Sequence, residues 1–247
     1  MLKIIQSNLF RKFPEIIFGF STKIGLNRKE PYYFNMSYSV GDKKEIVEEN
    51  RRELFKELGL NPANVAYQKQ IHSDIVKIID KPGYAGLSDA LITQVPEIAL
   101  AISSADCAAI FIYDIKNKII AAVHSGWKGT HKKILEKTLH LMFENFHSNP
   151  KNLFAYIAPS ISQKNYEVKE DVASLFDSKY LKKIDGKIFL DIKKANQDIL
   201  IENGIPAKQI EISELCSYQE KDLLHSFRRD GKFSGRALGL IAMRKIL

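Results

Sequence analysis

Residues 103–130 read SSADCAAIFIYDIKNKIIAAVHSGWKGT. Two apolar runs of strand length, AAIFIYD and KIIAAVH, flank a short polar break, DIKN, at residues 114–117. Four residues are a common hairpin length, so the pattern predicts an antiparallel pair with Tyr113 opposite Lys118. Counting outward sets Cys107 opposite His124. Directly opposed residues project from one face with Cβ atoms about 4.5–5.5 Å apart, whereas a slip of one residue would send them to opposite faces. Two readings fit the pairing. A thiolate at about 2.3 Å and an imidazole at about 2.0–2.1 Å can share one zinc ion; alternatively, a buried structural cysteine stands beside an ordinary strand-end histidine.

Outward from this hairpin, DALITQ, IALAIS and NLFAYIAP are further apolar runs of strand length. NVAYQKQIHSDIVKIID is strand-like but is interrupted at His72 to Asp74. EIVEENRRELFKELGL reads as an amphipathic helix that buries Ile46, Val47, Leu54, Phe55 and Leu58 and stops near Gly59. HKKILEKTLHLMFENF is the clearest helix, with Leu135, Leu139, Met142 and Phe146 at helical spacing. A helix around VKEDVASLF, a hairpin in KKIDGKIFLD, a helix IKKANQDILIENG closed by Gly204, and a last strand KQIEIS follow. Several adjacent strands lack helical crossovers. The expectation is a mixed α/β (α+β) fold, one domain over residues 1–247 with mixed β-sheets packed against helices.

Composition narrows the function classes. The chain has 247 residues and a hydrophobic fraction of 45%, ordinary for a protein with a sizeable core. Its net charge of +8 comes from 37 basic and 29 acidic residues. The basic residues are scattered in pairs such as NRRE, HKK and FRR rather than gathered in a stripe, so a solvated surface is expected and no nucleic-acid partner. No stretch approaches the roughly 18 apolar residues of a membrane span, and the N-terminal segment lacks the apolar core of a signal peptide. Two cysteines, Cys107 and Cys216, make no disulfide framework. A cytoplasmic protein with no membrane partner is expected; the oligomeric state stays open.

His72, in QIHSD, is a third candidate ligand. One cysteine and two histidines leave a zinc ion one open position, the arrangement of catalytic zinc, although a hydrogen-bonded strand-end histidine is the commoner fate of a residue placed like His72. Asp74 and Asp106 are candidates to orient a ligand or handle a proton. In HSGWKGT the glycines either free backbone N–H groups at a helix start for an anion or merely permit a tight turn. Cys216 reads as a small core residue. Arg228, Arg229 and Arg236 either reach a substrate or are solvated, and His131, His140, His147 and His225 are taken as surface residues.

SADCAAIFIYD followed by AAVHSGWKGT resembles the paired signature of the laccase-domain, or multicopper polyphenol oxidase, family, also described as a purine nucleoside phosphorylase family. GFSTKIG, FNMS, VGD, NRRELFKELG, QIHSD, SDALIT, IAPSI, YEV, DIKKANQDIL and SFRRDGKFSGR match it in order along nearly the whole chain. The resemblance implies a zinc-dependent enzyme (copper being the other metal to consider) acting on a purine nucleoside and phosphate. It implies phosphorolysis of adenosine, inosine and methylthioadenosine, and adenosine deamination. It places the metal on His72, Cys107 and His124. An open zinc position suits attack on adenine C6, with Asp106 or another acid–base group shuttling protons, so Asp106 and Cys107 are the candidate catalytic residues. Lys23, Lys128 and Arg229 are the expected phosphate and substrate contacts. The family usually has arginine where this chain has Lys23 and a second glycine where it has Leu26; lysine keeps the charge but loses the bidentate fork.

Three other classes remain. A copper polyphenol oxidase draws on the same two histidines and cysteine, but six histidines serve at most one copper site. A metal-free cysteine hydrolase would use Cys107 as nucleophile and His124 as base. A basic binding module rests on net charge alone.

Overall fold

The computed structural model describes residues 2–245. The expected hairpin is present, displaced by one residue. Its strands pair Asp114 with Ile119 and Ala109 with His124, and residues 115–118 form the turn. Cys107 precedes the strand and is not directly opposite His124. The cause is Asp114, which stays in the strand, fully buried, and accepts hydrogen bonds from the backbone N–H groups of Lys116 (2.9 Å) and Asn117 (3.0 Å). That side-chain turn starts the loop one residue late. A loop moved by one residue shifts the pairing by two, and a two-residue shift preserves the face.

In chain order the strands and helices begin with β1 (Ile4–Ile5), β2 (Ile16–Ser21), α1 (Lys44–Glu57), β3 (Val65–Lys69), β4 (Val76–Ile78), β5 (Gly83–Leu87) and β6 (Ala90–Thr93). The central part is β7 (Ala99–Ser104), β8 (Ala108–Asp114), β9 (Ile119–Ser125), α2 (Trp127–His131), α3 (Ile134–Phe146) and β10 (Leu153–Ile157). Then come β11 (Glu167–Val168), α4 (Glu170–Ala173), β12 (Leu181–Ile184), β13 (Lys187–Leu190), α5 (Ile192–Glu202), β14 (Ile210–Ile212), α6 (Phe227–Asp230) and β15 (Ala237–Met243). One six-stranded sheet runs β1-β2-β15-β7-β3-β5, a second runs β14-β10-β8-β9-β6-β4, and a small third sheet runs β11-β13-β12.

The two large sheets face each other. Phe18, Phe20, Leu100 and Ile241 of the first interdigitate with Phe111, Tyr113, Ala122 and Tyr156 of the second. The outer face of the second sheet (Ile110, Ile112, Ala121, Val123) is covered by Leu135, Leu139 and Met142 of α3 and Leu200 of α5. The outer face of the first meets Leu54 and Phe55 of α1. The result is a helix–sheet–sheet–helix stack, the mixed α/β class that was expected. Strands covered on both faces need apolar side chains on both, which is why AAIFIYD and IIAAVH show no polar alternation.

The predicted helix from His131 to Phe146 is split. Lys133 adopts a left-handed conformation (φ 62°) between α2 and α3, and Thr130 ties α2 back through bonds to Ser125 Oγ and the Gly126 carbonyl. HSGWKGT therefore opens a five-residue helix, not the long one. The expected final strand, β14, is not the last: β15 follows it and lies between β2 and β7.

Candidate metal centre

Three crossings carry the chain from the first large sheet to the second: residues 70–75 from β3 to β4, residues 88–89 from β5 to β6, and residues 105–107 from β7 to β8. They bring His72, Asp89 and Cys107 to His124, at the end of β9. The ligand atoms of His72, Cys107 and His124 all lie within 4.8 Å of one another. His72 Nε2 is 4.0 Å from Cys107 Sγ, and the two imidazoles meet edge-to-face with ring centres 4.9 Å apart. Small side-chain rotations let one ion touch all three.

Asp89 holds this arrangement, and sequence reasoning missed it. Its carboxylate is fully buried and accepts from the backbone N–H groups of Ile71 (3.1 Å), His72 (3.0 Å) and Ser73 (2.7 Å), and from Ser73 Oγ (2.7 Å). His72 sits at φ 58°, uncommon for a residue with a side chain, and the three N–H bonds clamp that turn. Asp89 Oδ1 also accepts from His124 Nδ1 at 2.8 Å, which turns Nε2 toward the cluster, as a carboxylate behind a metal-binding histidine does. Burial raises the Asp89 carboxyl, but the bonds from His124 and Ser73 outweigh it and hold it at about 2. The signal in the sequence was the polar pair Ser88–Asp89 placed directly before the apolar run Ala90–Ile92 of an entirely buried strand.

Burial alone would raise the Cys107 thiol too. His124, and then His72, outweigh it and bring it down to about 6. Burial works the other way on His124, where Cys107 and Asp89 prevail and push it up to about 9. The cluster thus favours the thiolate, the form that ligates metals and attacks electrophiles. Gly126 packs against this sulfur: a Cβ there would lie 2.7 Å from Cys107 Sγ.

The cluster lines a cavity of ≈ 680 Å³, within the usual range for small-molecule sites. Trp127, Tyr166, Arg228 and Arg236 line it with the cluster; Tyr38, Arg51, Tyr67 and Gln68 belong to the same lining. Asp106 reaches the wall, but its oxygens are engaged, Oδ1 by Ser217 Oγ (2.6 Å) and Oδ2 by the Arg228 N–H (2.7 Å). The three predicted anion contacts are not among the lining residues. Lys23 lies over the Tyr33 ring, 4.1 Å from its centre. Lys128 is exposed over Trp127. Arg229 donates to the carbonyls of Ser217, Tyr218 and Leu224 and to Asp230. The cavity's arginines are instead Arg51, Arg228 and Arg236.

Of the other candidates, Asp74 pairs with Lys137, and Cys216 is buried and accepts from Ser162 and Asn165. His225 is not a surface residue. It is buried against Gly235, and burial depresses its pKa to about 3.

Residues 17–244 match the family model for the multi-copper polyphenol oxidoreductase laccases. The chain belongs to that family. Among members of this laccase-domain family, a protein of Bacteroides thetaiotaomicron named purine nucleoside phosphorylase is 33% identical over 230 residues, which span 86% of this chain and 85% of that one. A protein of Corynebacterium glutamicum with the same name is also 33% identical, over 92% of this chain and 94% of its own. The crystal structure of the Bacillus licheniformis hypothetical protein YfiH superposes with a TM-score of 0.93 at 26% identity, covering 99% of this chain and 97% of that one. Among the described residues no helix is long and apolar enough to cross a membrane.

Proposed function

We propose that this laccase-domain protein is a zinc-dependent purine nucleoside phosphorylase whose residues 1–247 act as one domain. In this reading it converts adenosine, inosine or methylthioadenosine and phosphate to free base and ribose 1-phosphate, and also deaminates adenosine. The observation that carries the reading is the His72–Cys107–His124 cluster opening into a cavity of ≈ 680 Å³; the names of the relatives supply the substrate class. Two imidazoles and a cysteine that favours its thiolate suit zinc and also suit copper, so metal analysis separates the two. Zinc bound by His72, Cys107 and His124 would supply Lewis acidity to an oxygen of phosphate or water.

The chain's own residues would do the rest. Asp89 keeps a proton on Nδ1 of His124 and leaves Nε2 for the ion. Arg228 and Arg236 offer the positive charge for phosphate that Lys23 and Lys128 were expected to offer. Asp106 acts as a positioning residue, since it holds the backbone of Arg228. In phosphorolysis a phosphate oxygen bonds to ribose C1′ as the bond from C1′ to the base breaks, and the base leaves with a proton. In deamination the oxygen of water adds at C6 and ammonia departs.

A metal-free cysteine hydrolase is the second reading, favoured by the lowered Cys107 thiol beside His124. One experiment separates them: metal content of protein purified without added metal, with the products from adenosine and inosine resolved by chromatography with and without phosphate. Cys107→Ala is expected to lose metal and nucleoside turnover together while the melting temperature changes little. Full metal occupancy in that variant would refute the ligand assignment. Turnover of an amide substrate that survives chelation, with no purine product from metal-loaded wild type, would establish the hydrolase.

A further inference from the structure

Gln68, on β3, stands apart from every other cavity residue. Both ends of its side-chain amide, Nε2 and Oε1, are shielded from solvent and have no hydrogen-bond partner among the described residues, and the side chain lines the cavity. Burying an amide unpaired is costly, and nearly all buried polar atoms in folded proteins are paired. Gln70, two residues on, behaves in the ordinary way: Nε2 donates to the Ser103 carbonyl and Oε1 accepts from the Ser103 N–H, both at 2.8 Å. The pairing of β3 with β5 is irregular at Gln68, since Tyr67 pairs with Tyr84 but Lys69 with Leu87. Such irregularities re-aim side chains beside active sites.

The surroundings indicate what the amide meets. Tyr38 and Tyr67 line the same cavity and are exposed residues, at 48% and 43%. Arg51 backs Tyr38, its guanidinium 4.4 Å from the ring centre and its Nε donating to the Met36 carbonyl. Aromatic faces of this kind stack on nucleobases. A primary amide presents one donor and one acceptor side by side, matching the paired polar atoms on the edge of a purine. Ribose hydroxyls, by contrast, need no flat surface.

We infer that Gln68 is a specificity-determining residue that reads the N1 and six-position edge of the purine and accepts 6-amino and 6-oxo bases alike. This rests on the nucleoside reading above. The dual acceptance follows from the unpaired amide. Adenine offers an acceptor at N1 and a donor at N6; hypoxanthine offers the reverse. Ser103 fixes the orientation of Gln70, whereas no described residue fixes that of Gln68, so its amide is free to turn out of the wall toward the cavity, and a half-turn then serves either base.

The test uses Trp127, the single tryptophan, which lines the cavity and reports binding by fluorescence. The probes are adenosine, inosine and 1-deazaadenosine, which has a carbon in place of N1. Wild type is expected to bind adenosine and inosine each about tenfold more tightly than 1-deazaadenosine. Gln68→Met should bind all three alike and melt at the same or a higher temperature, since it removes a polar group the protein leaves unpaired. A Gln68→Met protein that keeps the preference, or that weakens all three probes equally, would overturn the inference and leave the nucleoside reading standing. Wild type that binds none of the three would overturn both.

Discussion

Gly126→Ala tests whether the cluster is built to hold a metal, because the structure predicts that it spares the fold and spoils the site. Gly126 has φ −74° and ψ 178°, extended backbone that alanine adopts freely, so space and not conformation demands glycine. The new Cβ would lie 2.7 Å from Cys107 Sγ and 3.4 Å from His72 Cδ2. Ordinary contacts are about 3.5–4.0 Å, so the sulfur must retreat by about 1 Å. A cysteine side chain does this by rotating about its first torsion, which relieves the clash and swings the sulfur away from His124. Metal–ligand distances tolerate only about 0.2 Å, so zinc should bind at least about tenfold more weakly, a change on the scale of disturbing a ligand's support. Overpacking costs about 1–3 kcal/mol, and the free rotation places this variant at the low end. The assay is chelator competition for zinc, with cobalt-substituted protein to follow the thiolate-to-metal charge-transfer band. The band should weaken or vanish in the variant while the melting temperature falls by a few degrees. Wild-type zinc affinity with an intact thiolate band would refute the reasoning.

Two further outcomes follow from particular contacts. Lys23→Ala should leave the KM for phosphate within about twofold of wild type, because Lys23 stacks on Tyr33 away from the cavity lining, whereas Arg228→Ala should raise it about tenfold by removing a charge-assisted contact; the reverse order in steady-state kinetics would restore the sequence-based assignment. Glu15 accepts from Tyr113 Oη (2.5 Å) and Lys118 Nζ (2.9 Å), and although burial works against it, these bonds lower its carboxyl from 4.5 to about 2. Its contribution, up to about 3 kcal/mol before solvent screening, is therefore fully present above pH 4.5 and lost as pH falls toward 2. Glu15→Gln should be less stable than wild type at neutral pH, with the gap closing in that acid window; a gap independent of pH in denaturant titrations would exclude the linkage.

The parts of the fold that were legible share a local cause. α1, α3 and α5 carry their apolar residues at helical spacing, and Gly59 and Gly204 stop α1 and α5 in left-handed conformations (φ 67° and 87°). β6 to β10 announce themselves because burial on both faces demands unbroken apolar runs. What was not legible depends on distant partners. β15, ALGLIAM, is buried throughout, yet two more elements, α6 and a basic loop, separate it from β14, and only its pairing with β2 and β7 makes it a strand. The hairpin register turned on one side chain, Asp114, which belongs to the strand by burial and to the loop by hydrogen bonding. Lys23 carries the right charge in the right motif, but its side chain lies on a tyrosine elsewhere.

The candidate site was partly legible for a related reason. Each crossing between the sheets interrupts an apolar pattern with a few polar residues: QIHSD, then SD, then SADC. Two of those interruptions hold a histidine or cysteine, which chemistry singles out, and this is why His72 and Cys107 stand out as candidates in the sequence, and the fold brings them together. The third held only Ser88 and Asp89, residues common in any turn, and nothing local distinguishes an aspartate that caps a turn from one that clamps a ligand loop. The difference lies in who donates to it. Asp89 takes its bonds from the turn that carries His72 and from the ring of His124, so a single carboxylate fixes two of the three candidate ligands against each other. The third, Cys107, rides on the crossing from β7 to β8 and is set by the spacing of the two sheets, which Phe18, Phe111 and Tyr156 maintain by edge-to-face contacts at 5.0 and 5.2 Å. Site geometry is thus a property of the sheet stack and of one buried charge. This is why motifs scattered along nearly the whole chain accompany three candidate ligands.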